Sequence, residues 1–328
     1  MDATRDDRAT RRAIGTALVA ATVAILMFLV AAPASATAPA KNGRIAFRRY
    51  FNDAQTRGAI FTIRPDGTGL FQVTHRGKDL LDTEPDWSPD GRWIAFQRME
   101  PGEPSRLFKI RADGTHLTRL SHSPCVPDDC VEDAAPFWSP DGEWITFTRF
   151  GDDNGQVYVM RSDGTGVRQV QGTVKYGGAF AHWSPDGTRL VFGGIKSSGA
   201  LALFTIRLDG THARRVTPWK LHSGSADWSP DGRWILFESH TGQDRPDNLF
   251  LVHPNGNGLH QITVSPAHVH QWGSFSFSPD GTMITVAYNA AEGENPDIVV
   301  LKVDGSGFRR VTNSVSFDSA PDWGPRRR

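Results

Sequence analysis

Apolar residues along the chain recur two apart in short runs. One set is Ile94/Phe96, Ile145/Phe147, Leu190/Phe192, Ile235/Phe237 and Ile284/Val286. A second is Phe61/Ile63, Phe108/Ile110, Tyr158/Met160, Phe204/Ile206, Phe250/Val252 and Val299/Leu301. Spacing of two puts both members of a pair on one face of an extended strand. The residue between them is often apolar too, as in Leu249-Phe250-Leu251-Val252. Strands apolar on both faces belong in sheets that are covered on both sides. The runs Gln72-Val73-Thr74, Arg119-Leu120-Ser121 and Arg215-Val216-Thr217 are more polar, as an outer edge strand should be.

Two turn signals punctuate these runs. Trp87-Ser88-Pro89-Asp90-Gly91 recurs at 138–142, 183–187 and 228–232, with Phe in place of Trp at 277–281 and a worn copy at Trp323-Gly324-Pro325. Successive copies lie 51, 45, 45, 49 and 46 residues apart. Alternating with them stand Asp66-Gly67, Asp113-Gly114, Asp163-Gly164, Asp209-Gly210, Asn255-Gly256 and Asp304-Gly305. In Ser-Pro-Asp-Gly, proline presets φ and glycine takes the left-handed position that ends the turn. Asp-Gly between apolar runs is a hairpin signal, because both residues tolerate positive φ.

Two tight turns per unit imply four strands per unit. Four-stranded units at this spacing, buried on both faces, predict an all-β fold, a six-bladed β-propeller. The first strand signal, Ile45-Ala46-Phe47, aligns with the second strand of a unit, and Ala320-Pro321-Asp322-Trp323 with a first strand. The N- and C-terminal strands are therefore expected to complete one blade together.

These repeats resemble the TolB-like propeller family (PD40, or WD40-like, repeats) over about residues 42–325. The resemblance implies an exported propeller that binds protein partners at one end of its central channel. TolB itself carries an α/β domain ahead of the propeller. Here only residues 37–42 separate the expected cleavage site from the first strand, so that domain is expected to be missing.

The N-terminus reads as an export signal. Arg5, Arg8, Arg11 and Arg12 precede an apolar run at 13–32, and Ala34-Ser35-Ala36 offers a small-residue cleavage site. The run is also long enough to span a bilayer, so an uncleaved anchor is the alternative. The expected organisation is signal peptide or anchor 1–36, linker 37–42, propeller 43–325 and a basic tail 326–328. The destination is extracytoplasmic: secreted, periplasmic or cell-surface. Cys125 and Cys130 are the two cysteines, and in an exported chain they form a disulfide reading. A redox or metal pair is the alternative, although the spacing is not that of a Cys-x-x-Cys site.

The chain has 36 basic and 36 acidic residues, which argues against nucleic-acid binding. The once-per-blade tryptophans and aspartates of the repeat read as structural. A functional site must come from what differs between blades. The residue before each motif aromatic is Asp86, Phe137, His182, Asp227, Ser276 and Asp322. Propeller first strands line the channel, so these residues are expected at a common mouth suited to a basic peptide or a cation. The alternative is that they pair with neighbouring backbone. His222, His268, His270 and Trp272 lie in incoming loops and add an aromatic–histidine rim suited to protein or sugar contacts.

No Gly-x-Ser-x-Gly occurs, and no phosphate-cradling glycine loop precedes a helix. The expected role is a monomeric, non-catalytic binding platform without cofactor, for an exported or envelope protein or peptide. A membrane contact is expected only if the N-terminal segment stays uncleaved. The alternative, which the family resemblance implies, is a metal-assisted polysaccharide lyase or hydrolase, with His268 and His270 supplying ligands.

Overall fold

A computed structural model describes residues 40–327 except 76, 78, 123–124, 127–128, 152–154, 240–246, 266–271 and 292. The expected signal segment and the histidines His268 and His270 lie outside the described residues. Among the described residues no helix is long and apolar enough to cross a membrane.

The fold is an all-β propeller. Four sheets have four strands each, in simple meander order, within residues 132–169, 179–215, 226–261 and 272–310. An eight-stranded sheet holds Asp318–Pro325, Asn42–Tyr50, Gly58–Ile63 and Phe71–Gln72, then Leu81–Trp87, Trp93–Glu100, Glu103–Arg111 and Thr118–Arg119. One parallel bridge, Gly58 to Leu81, joins its two halves. As the sequence led one to expect, Asn42–Tyr50 pairs with Asp318–Pro325, with Ile45 opposite Trp323. Each sheet packs on the next through its apolar faces. Ile298 and Val300 share a cluster with Ile45, Phe47 and Trp323, joining the sheet at 272–310 to the chain's first strands.

The turn signals work as local switches. Ser88 Oγ donates to Asp90 Oδ1 (2.6 Å) and accepts the Trp93 N–H (2.9 Å), while Asp90 Oδ1 also accepts the Arg92 N–H (2.9 Å). The same set recurs at Ser139/Asp141, Ser229/Asp231 and Ser278/Asp280. The repeat aspartates are therefore turn locks. In Asp-Gly only the glycine is left-handed, as at Gly67 (φ 83°). The aspartate keeps ordinary φ and uses its carboxylate instead: Asp66 Oδ1 accepts both the N–H and the hydroxyl of Thr68.

The outer strand is shorter than the polar runs suggest. It spans two residues in each unit, for example Phe71–Gln72, and the next residue, Val73, is fully buried. The following hydroxyl replaces further strand pairing: Thr74 Oγ1 accepts the Ile60 N–H (3.0 Å), and Ser121 and Thr217 repeat this on Leu107 and Leu203. A side chain that meets the inner strand's donor leaves no exposed edge to lengthen.

Candidate functional site

A cavity of about 480 Å³ opens at the end of the ring where the first strand of each unit begins. Its lining includes all six residues that precede the motif aromatics: Asp86, Phe137, His182, Asp227, Ser276 and Asp322. A smaller cavity of about 140 Å³ lies on the side of the Ser-Pro-Asp-Gly turns and shares Asp86, Phe137, His182 and Asp227. These side chains thus sit at the narrow level between two chambers.

A repeated backbone distortion aims them there. Glu84, Ala135, Phe180 and Ala320, each three residues before a motif Trp, have φ between 48° and 53°. Strand register slips by one residue at the same place, as between Thr83 and Asp86 or Ala179 and His182. A bulge with a left-handed residue turns the strand and re-aims the side chains that follow. Strained non-glycine residues concentrate at functional sites.

The carboxylates are already engaged with their neighbours. Asp322 Oδ2 accepts the Trp87 N–H (2.7 Å), Asp86 Oδ2 accepts the Trp138 N–H (2.6 Å), and Asp227 Oδ2 accepts the Phe277 N–H (2.8 Å). Ser276 Oγ donates to Asp322 Oδ1 (2.9 Å), and Asp227 Oδ1 stands 3.5 Å from His182 Nδ1. The His182 and Phe137 rings lie 3.5 Å apart. So Asp86 and Asp227 each tie one sheet to the next through Oδ2, Asp322 Oδ2 ties the two halves of the eight-stranded sheet, and the Oδ1 atoms of Asp322 and Asp227 face Ser276 and His182.

Burial and neighbouring carboxylates raise the proton affinity of Asp86 and Asp322. Burial, then the Asp322 charge, hold the Asp86 carboxyl well above the usual carboxylate range, against the pull of the Trp138 N–H. Burial pushes Asp322 up to about 6; Asp227 adds to the rise, and the Trp87 N–H, the Ser276 hydroxyl and His182 oppose it.

The rim residues read from the sequence do not all reach this cavity. His222 caps the short helix Trp219–Leu221 in a left-handed conformation and is not among the lining residues. Trp272 is no rim aromatic: it is buried, packed on Tyr288 and near Phe308. Among the described residues no three His, Cys, Asp or Glu side chains group to hold a metal ion.

The walls were not read from the sequence. Phe180, Phe275, Ile195, Leu201, Pro85 and Pro321 make the cavity apolar above its charged floor. A second cavity of about 420 Å³ shares Gly177 and Ile195 with it and is flanked by Lys175 and Lys196. The signal that pointed toward the walls was the proline at 85 and 321, one residue after a left-handed position and one before Asp86 and Asp322.

Comparison with known proteins agrees with this architecture. The TolB beta propeller domain family matches residues 132–271. The described residues thus have a β-propeller fold, and the matched segment resembles the TolB propeller domain. The chain is 26% identical to an uncharacterised protein of Agrobacterium fabrum over 81% of the chain and 87% of that protein. It is 30% identical to the Tol-Pal system protein TolB of Anaeromyxobacter dehalogenans, over 39% of the chain and 28% of that protein. The crystal structure of TolB from Acinetobacter baumannii superposes with a TM-score of 0.71 at 20% identity, over 87% of the chain and 67% of the solved one.

Proposed function

We propose that this TolB-like propeller is an exported, six-bladed, non-catalytic platform that holds a protein or peptide partner at the channel mouth. The observation that carries the reading is the convergence of Asp86, Phe137, His182, Asp227, Ser276 and Asp322 on one cavity. Apolar walls above a carboxylate floor suit a segment with a basic side chain and apolar neighbours.

Six blades follow if the eight-stranded sheet is counted as two units, since among the described residues a single ladder bridge, Gly58 to Leu81, pairs the strands of its halves. On this reading the propeller spans 43–325, with 37–42 as linker and 326–328 as tail. Export rests on the basic and apolar pattern of the first 36 residues, which places the partner outside the cytoplasm. Cys125 and Cys130 stand opposite each other in the short hairpin at 125–130 and are proposed to form a disulfide there.

Crosslinking in intact cells, with identification of captured proteins, tests the platform. The control is the triple variant Asp86→Asn, Asp227→Asn, Asp322→Asn, because asparagine keeps the acceptor that each backbone N–H needs. Loss of a captured partner in that variant supports the mouth as the site, and unchanged capture sinks it.

A further inference from the structure

The rim of the mouth is not uniform around the ring. In three units an Arg–Asp pair closes the mouth end of the first two strands: Asp318 with Arg49, Asp82 with Arg98, and Asp133 with Arg149. Each arginine lies over the aromatic pair of its unit, for example Arg98 over Phe96 and Phe108. The register of the sheet at 179–215 puts Gly178 and Gly194 where the other units carry that aspartate and arginine. A side chain at Gly194 would meet the Phe204 ring at 2.9 Å and Tyr176 at 3.2 Å, because Tyr176 stacks on Phe204 (4.4 Å) in the arginine's place.

Tyr176 arrives on a short helix, Gln171–Tyr176, between this sheet and the preceding one. That insertion also brings Lys175 to the rim. Lys196, at the end of the strand Arg189–Ile195, stands across the side cavity. The Lys196 ammonium lies 5.3 Å from the Trp219 ring centre and that of Lys175 lies 5.6 Å from Tyr176. Among the described residues neither lysine has a carboxylate partner. Where three units neutralise the rim with an internal ion pair, this one presents two cations over an open groove that runs into the mouth.

We propose that mouth and side groove together bind one extended peptide segment of bipolar charge. A cationic side chain sits over Asp86, Asp227 and Asp322. An apolar side chain packs on Phe180 and Phe275. A carboxylate further along the segment lies between Lys175 and Lys196. This rests on the reading of the mouth as a peptide site. Complementary charge fixes the direction of the segment: reversed, it would set like charges together at both ends. Asp86 and Asp322 hold protons more tightly than ordinary carboxyls, so a cation arriving there expels a proton, and binding releases protons near pH 6. The charged and titratable groups facing that floor are Asp86, Asp227, Asp322, His182 and Glu84.

The test uses fluorescent synthetic peptides with one Lys-Phe pair and one Asp placed two, four or six residues later, against the whole propeller. Replacing Asp by Asn, or Lys by norleucine, should each weaken binding about five-fold or more for the best spacing. The double variant Lys175→Glu, Lys196→Glu should reverse the preference, favouring a peptide with Lys in place of Asp. Calorimetry in buffers of different ionisation enthalpy should show proton release. Equal binding of Asp and Asn peptides, or no binding of any peptide at about 1 mM, overturns the bipolar segment. Capture in cells that still depends on Asp86, Asp227 and Asp322 would then leave the mouth itself standing. Capture indifferent to those residues would remove the mouth as well.

Discussion

Asp322 Oδ2 accepts the backbone N–H of Trp87 at 2.7 Å, joining residues 235 positions apart in the chain. The same carboxylate takes the Ser276 hydroxyl on Oδ1. A residue from the last strand therefore touches both the other half of its own eight-stranded sheet and the sheet at 272–310. The channel carboxylates act as backbone acceptors within the ring, the alternative role read from the sequence; their use as a partner site is the proposal made above.

Asp322→Ala leaves a buried N–H without an acceptor and should cost about 1–3 kcal/mol. Asp322→Asn retains an acceptor oxygen and should cost less. Denaturant unfolding of the two variants checks this; equal losses would mean that the Trp87 N–H is not what the carboxylate holds.

The raised proton affinity has a defined sign. A carboxyl whose folded pKa exceeds its unfolded value stabilises the fold fully below the unfolded pKa and loses that contribution as pH rises through the folded pKa. For Asp322, moved from 3.8 to about 6, the loss falls between roughly pH 4 and pH 6. The melting temperature should thus decline over that window more in the wild type than in Asp322→Asn. Parallel profiles would assign the decline to other groups.

The Arg98–Asp82 pair is two-pronged, at 2.6 and 2.8 Å, and both side chains are at least 95% buried. Asp82→Ala strands a buried guanidinium and should cost about 3–5 kcal/mol. Gly178 and Gly194 already lack the pair, so the fold tolerates its replacement by packing. Asp82→Gly with Arg98→Gly alone should not recover stability, since no Tyr176 equivalent fills the gap; a stable double variant would show that the pair matters little.

Removing residues 318–328 strips the strand that faces Asn42–Tyr50. It should destabilise the whole ring, and Trp323→Ala alone, at a 5% exposed site, should cost about 3–5 kcal/mol. Calorimetry showing a truncated protein that melts with its parent would contradict the closure.

The disulfide proposed at Cys125 and Cys130 closes a short loop. Its reduction should cost only about 2 kcal/mol and leave the melt cooperative. Thiol titration of the unreduced, denatured protein should find no reactive cysteine; two thiols would end that proposal.

Turn chemistry and strand spacing are local, so the sequence alone determined the four-stranded unit, its two turns and the pairing of Ile45 with the strand of Trp323. The pre-motif positions were legible because the repeat numbers them. What lies between chain-distant residues was not. The Arg98–Asp82 pair looks like two solvent charges until the sheet buries them side by side. Trp272 sits in a polar loop region of the sequence, yet packs inward because Tyr288 and Phe308 come to meet it. The side groove depends on Gly178, Gly194 and Tyr176 occupying places set by neighbouring sheets. Strand periodicity states which face a residue takes. Which residues meet across that face, and so which charges are spent within the fold and which are left for a partner, is decided only when the sheets close around one axis.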